Sequence, residues 1–246
     1  MPKKLFASLL WFFAGILITS NATAQSEADS TANGHKLYAH IEDSFYNAMG
    51  PQSRLYNGER YEFYSPAIKG NPYFMLATDW NQGTIVYDGF TYKNVSIRYD
   101  LYKDLLIIPL YKSFLKMSLI SEKVASFDVL DHHFIYIKTG VSVSAGFYDE
   151  LYGGKIQFLC KHDISMQTEH NFNGSIDSYF LPATDYYIYK DGEYTAVNSK
   201  GTFLNALKDK KKSLQQYIRA NKLKFNKTDK ERAMVALTAY YDHLTN

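Results

Sequence analysis

The pattern of apolar and polar positions passes through three rhythms along this chain of 246 residues. It opens with an apolar run from Leu5 to Ile18, preceded by Pro2, Lys3 and Lys4 and followed by a polar stretch ending in Ala22-Thr23-Ala24. This layout predicts a secretory signal peptide over 1–24, cleaved between Ala24 and Gln25. The run is shorter than the roughly 20 residues a membrane-spanning helix needs. Residues 25–34 are rich in Ser, Ala, Asn and Asp and predict a disordered leader. Leu37, Ile41 and Phe45 then recur at helical spacing, which predicts a short amphipathic helix over 35–49, ended by Gly50-Pro51.

The second rhythm, from Arg54 to about Val197, is that of strands and turns. Asn57-Gly58, Asp88-Gly89, Gly153-Gly154 and Asp191-Gly192 supply residues that tolerate the positive φ of two-residue hairpin turns. The clearest hairpin runs from Thr84-Ile85-Val86-Tyr87 through Asp88-Gly89 into a return strand. Phe90 and Tyr92 of that strand share one parity and Val95, Ile97 and Tyr99 the other. Side chains alternate with period two, so the switch at Lys93-Asn94 predicts a bulge. Asp100 begins a turn, and Leu105-Leu106-Ile107-Ile108 reads as a strand buried on both faces and stopped by Pro109. Further strands are predicted over 114–119, 124–130, 134–138, 146–152, 155–162, 179–181, 186–190 and 194–197.

The third rhythm is helical. Phe203, Leu204, Leu207, Leu214, Tyr217 and Ile218 form one stripe, opposed by Lys208, Lys212, Gln215 and Arg219, which predicts a helix over 202–221. Thr228-Asp229-Lys230-Glu231 matches a capping box, and Met234, Leu237, Tyr241 and Leu244 continue a second helix over 228–244. The stripes need a sheet or a partner to cover them. The pattern therefore predicts one α+β domain over 35–246: a mainly antiparallel, twisted sheet or partial barrel with C-terminal α-helices. The strands are shorter than the 9–11 residues of membrane barrels and do not alternate strictly, which argues against that architecture.

Charge adds an asymmetry. Lys3 and Lys4 lie within the signal, so residues 25–246 balance 25 basic against 25 acidic side chains. From Lys200 onward there are 11 Lys/Arg and 4 Asp/Glu, and the opposite excess lies upstream. Such a split predicts solvated helix faces with some intramolecular attraction, or a tail that meets an acidic partner. A neutral exported chain without a binding motif is a poor nucleic-acid ligand. The single cysteine, Cys160, excludes an internal disulfide, and with Gln25 at the cleavage point no cysteine is placed for a lipid anchor.

Catalytic motifs are missing: there is no G-x-S-x-G elbow, no H-E-x-x-H helix and no phosphate-binding glycine loop. No cofactor is implied. Asp131-His132-His133 is the densest histidine cluster, but adjacent strand residues face opposite ways, so a shared metal would require a loop. Cys160 and His162 can share a strand face, as a nucleophile pair or as core positions beside Phe158. Tyr56, Tyr61, Phe63, Tyr64, Tyr73, Phe74 and Trp80 crowd a turn-rich segment. They fill a core or, where exposed, stack on a glycan or anchor a protein. Tyr64, Tyr73 and Trp80 are the candidate ligand-binding residues.

Leu55-Tyr56-Asn57-Gly58, Gly70-Asn71-Pro72-Tyr73-Phe74, the run from Tyr87 to Val95 and Arg98-Tyr99-Asp100 resemble exported β-rich proteins of Bacteroidota-type bacteria. Lys210-Lys211-Lys212-Ser213-Leu214 and the loop from Asn221 to Phe225 are similar to the same group. The resemblance implies a periplasmic or outer-membrane-associated location and brings no activity. The expectation is thus an exported, non-catalytic protein that binds an envelope protein or a glycan. The alternative is a periplasmic hydrolase whose site assembles only in three dimensions. A pocket holding His132 or His133 beside a carboxylate points to the hydrolase. An aromatic groove without titratable groups points to binding.

Overall fold

The computed structural model describes residues 54–110, 113–172 and 174–245, together with Tyr38 and His40. The chain divides into two units, Met1–Phe45 and Tyr46–Asn246. In the first, Tyr38 and His40 are helical. The signal peptide, the leader and the remainder of the helix expected over 35–49 lie outside the described residues.

The second unit is built on an open antiparallel sheet of 11 strands. In chain order these are β1 (Glu59–Arg60), β2 (Asn81–Tyr87), β3 (Phe90–Asp100), β4 (Leu105–Pro109), β5 (Lys116–Ser118), β6 (Val124–Val129), β7 (His132–Ile137), β8 (Gly146–Gly153), β9 (Gln157–His170), β10 (Ile176–Lys190) and β11 (Glu193–Ala196). Across the sheet they lie in the order β1-β5-β4-β3-β2-β6-β7-β8-β9-β10-β11. The sheet does not close into a barrel. Three helices follow: α1 (Lys200–Ala206), α2 (Lys211–Ala220) and α3 (Lys230–Leu244).

One sheet face carries both main cores. Ile85, Tyr87, Ile97, Tyr99, Phe127 and Phe134 cluster beneath Leu55 and Phe74 of the segment before β2. Phe158, Cys160, Tyr186 and Ile188 cluster beneath the helices, which contribute Phe203, Leu207, Leu214, Ile218, Met234 and Leu237. The helical stripes therefore cover the sheet. A smaller cluster holds Ile137, Val143, Tyr148 and Leu159.

The bulge on β3 is present: Gly83 pairs with Val95 and Ile85 with Tyr92, which sets Lys93 and Asn94 opposite the single residue Thr84. Asp88-Gly89 and Asp191-Gly192 form tight hairpins, since Tyr87 faces Phe90 and Lys190 faces Glu193. Asn57-Gly58 does not. Asn57 accepts a 2.5 Å hydrogen bond from the Tyr87 hydroxyl, and β1 pairs with β5 instead. A Cβ on Gly58 would overlap the Ser118 carbonyl, so this glycine serves close approach. Gly153 and Gln157 close a longer loop.

The β9–β10 ribbon runs through segments expected as loops on either side of Pro182. Phe180 donates its backbone N–H to Lys69, and Ser178 accepts from Lys69. Residue 182 has the same parity, so its nitrogen points away from β9, where a missing N–H removes no ladder bond.

The helix expected over 202–221 is broken at Leu207 (φ −109°, ψ 42°). Asp209, in the short 3-10 turn Lys208–Lys210, is drawn to Lys190 (3.1 Å) and to the Tyr241 hydroxyl (2.8 Å). The Thr228/Glu231 capping box does not form. Asn226 Oδ1 accepts the N–H groups of Thr228 and Asp229, and Glu231 accepts the Tyr186 hydroxyl at 3.0 Å. A capping box stands instead at Ser199 and Thr202.

Buried Asp100 ties the segment before β2 to the end of β3. Its Oδ1 accepts the N–H groups of Tyr102 and Lys103, and its Oδ2 accepts the hydroxyls of Tyr61 and Tyr64, each at 2.7 Å. Burial, with the Asp100 charge adding, pushes both phenols up, so they remain donors. Tyr61→Phe and Tyr64→Phe are each expected to lower stability by about 1–2 kcal/mol. Urea unfolding measures it, with the double variant less than additive because both phenols serve one oxygen.

Candidate functional site

A cleft of about 650 Å³ opens where β2, β3, β6 and β7 meet. Asn81, Gln82 and Thr84 of β2, Asn94 of β3, Asp128 of β6, Asp131 of the connecting turn and His132 and His133 of β7 line it. Local backbone chemistry builds this rim. The β3 bulge holds Asn94 at φ 54°, which re-aims its side chain. Leu130 and Asp131, at φ 51° and 62°, form the two-residue link between Val129 and His132. No turn dipeptide announces that link, because Leu is an unusual occupant of the left-handed region.

Adjacent on a strand, His132 and His133 face opposite ways. His133 Nδ1 lies 2.6 Å from Asp128 Oδ1. His132 Nδ1 lies 2.7 Å from Asp149 Oδ2, a carboxylate whose side chain is only 2% exposed. The same oxygen lies 3.0 Å from His162 Nε2. Asp149 therefore accepts from both rings, so His132 Nδ1 and His162 Nε2 each carry a proton. Cys160 Sγ lies 3.7 Å from His162 Nδ1. His132 Nε2 has no partner among the described residues.

Cross-strand register explains the assembly. Phe134 pairs with Asp149, and Asp149 with Cys160, so these residues share a face with His132 and His162 two positions along. Phe74 closes over both imidazoles, its ring centroid 5.0 Å from each. The Cys–His spacing was visible in the sequence. Asp149 was not, since an acid beside Glu150 in an otherwise apolar strand carries no motif.

Cys160 is fully buried, and desolvation, with Asp149 adding, pushes its thiol well up. It is a core thiol and not a nucleophile. A disulfide reagent such as dithionitrobenzoate is expected to leave it untouched in the native protein and to titrate it fully in denaturant. Among the described residues, no group of three His, Cys, Asp or Glu side chains is arranged to hold a metal ion.

The three aromatic candidates lie outside the cleft lining. The Tyr64 hydroxyl is committed to Asp100, and the Lys103 ammonium lies 4.5 Å from its ring centroid. Tyr73 and Trp80, both half-buried, share the Arg98 guanidinium at 4.7 and 4.5 Å. Of the other rings in that segment, Tyr61 and Phe74 are buried in the core and Phe63 is exposed. Searches of family profiles, curated proteins and solved structures return no match to this chain.

Proposed function

We propose that this is an exported binding protein and that the cleft between β2, β3, β6 and β7 takes a neutral glycan. The lining carries this reading. Three amides (Asn81, Gln82, Asn94), the Thr84 hydroxyl and the carboxylates of Asp128 and Asp131 are planar or bidentate partners for sugar hydroxyls. His133 Nδ1 engages the Asp128 carboxylate within the lining.

Isothermal titration with neutral oligosaccharides of hexose and N-acetylhexosamine units tests this. At least one series is expected to bind, and Asn81→Ala or Asn94→Ala to weaken it about tenfold each, the worth of one good hydrogen bond. Failure of every series to bind the folded protein would sink the reading.

One observation favours a second reading, that of a hydrolase. His132 is held by a buried carboxylate and keeps Nε2 free, the arrangement of a general base. That nitrogen would take the proton of a water attacking an ester of the bound ligand and return it to the leaving alkoxide. Steady product release from an acylated oligosaccharide, lost in His132→Gln while titration still registers binding, would favour the hydrolase.

A further inference from the structure

The helices spend their apolar stripes on the sheet, so their polar faces are left to explain. Between Lys200 and Lys227 the chain carries nine Lys/Arg and one acid, Asp209. Asp209 is already committed to Lys190 and Tyr241. Lys212 and Arg219, seven residues apart, share one face of α2, away from buried Leu214 and Ile218, and Lys208 stands in the 3-10 turn just before it. Lys222, Lys224 and Lys227 continue the band along the link to α3. All six are exposed, and among the described residues none of their side chains takes part in an ion pair or a hydrogen bond.

The charge split between the halves of the chain is not used to hold the fold together. The described ion pair that joins helices to sheet, Lys190–Asp209, has its cation on the acidic half and its anion on the basic one. The conformation of Lys222 adds an independent point. α2 ends in a Schellman motif, with Leu223 N–H bonded to the Ile218 carbonyl and Lys222 N–H to that of Arg219. Lys222 stands at the left-handed position of this motif (φ 52°), where glycine is the relaxed choice. A cation is thus kept at a strained position in the middle of the band.

We infer that this basic face docks the protein on an anionic lipid bilayer. From Lys212 to Arg219 the band spans about 10 Å along the rise of α2, and Lys222, Lys224 and Lys227 carry it further along the link to α3. It thus reaches beyond the Debye length of about 8–10 Å at ordinary salt. Its cations lie along a convex helix face and do not converge on one point. They suit a plane of many phosphates better than a single small anion. The cleft lies at β2, β3, β6 and β7, away from the helix-covered strands, and does not share these cations.

Flotation of the full chain with phosphatidylglycerol–phosphatidylcholine vesicles, against pure phosphatidylcholine vesicles, tests the inference. Binding is expected on the anionic vesicles alone at about 0.1 M salt and is lost at about 1 M, where the Debye length falls to about 3 Å. Lys208→Glu/Lys212→Glu/Arg219→Glu should weaken it by more than about a hundredfold, each cation being worth about fivefold near such a surface. If that variant does not fold, the corresponding triple Gln variant should still weaken binding at least about tenfold. Equal binding to neutral vesicles, binding unmoved by salt or by the substitutions, or capture by soluble polyglutamate without vesicle binding would each overturn it.

Discussion

Deleting residues 200–246 is expected to abolish cooperative folding. Phe203, Leu204, Leu207, Leu214, Ile218, Met234, Leu237 and Tyr241 all lie in the core shared with β8–β10. Each buried side chain of this size contributes about 1.5–3 kcal/mol. Together they match or exceed the roughly 5–15 kcal/mol by which a domain is stable. Removing them also bares Phe158, Cys160, Tyr186 and Ile188 on the sheet. The truncated chain should lose its near-ultraviolet circular dichroism, bind a hydrophobic dye and melt without a transition. A cooperative melt would show that the helices are an appendage. The deletion cannot therefore report on a partner of the basic tail, because the same residues that present the lysines complete the core. Surface substitutions at Lys208, Lys212 and Arg219 separate the two roles.

What could be read from the chain follows from where burial is one-sided. The helices and β2–β8 announced themselves because each buries one face, or in β4 and β8 both, and periodicity records that. The outer ribbon of β9 and β10 is mostly exposed, from Ser165 to His170 and from Pro182 to Asp185. With no buried stripe it carries no period, so it read as loop. The β3 bulge was legible as a parity switch, and it delivers Asn94 to the cleft. The remainder of the site was not legible, because it is made by register. Val129 opposite His132, Phe134 opposite Asp149 and Asp149 opposite Cys160 are pairings between strands, and no spacing along the chain encodes them. The Thr228 capping box failed for a related reason. Glu231 found a better partner in Tyr186, far away in the chain and adjacent in space.

The aromatic segment teaches a different point. Tyr64, Tyr73 and Trp80 have the composition of a stacking platform, yet Lys103 and Arg98 from the β3–β4 region lie against their rings. Cation–π pairs of this kind use a ring face that a sugar could otherwise use. The polar cleft is therefore the stronger place to look for a glycan, and the aromatic cluster the stronger place to look for rigidity beneath it.

Asp149 is where stability and function meet, and Asp149→Ala is expected to cost about 3–5 kcal/mol. The carboxylate is buried between two imidazoles that both donate to it. Truncation leaves two inward-facing N–H groups without an acceptor, in a site closed by Phe74 and Phe134. Asp149→Asn keeps one oxygen that can still accept and should cost less, about 1–2 kcal/mol. Urea unfolding of both variants measures the difference, and a cost below about 1 kcal/mol for the alanine variant would mean the network does not support the fold. The asparagine variant then carries the functional question. It adds donors beside His132 and loosens the tautomer that keeps Nε2 free. If the cleft only binds, oligosaccharide affinity should follow the Asn81 and Asn94 contacts and change little in Asp149→Asn. If the cleft hydrolyses, turnover should fall steeply at nearly constant affinity, because the group that orients a base acts on the transition state more than on the bound ligand.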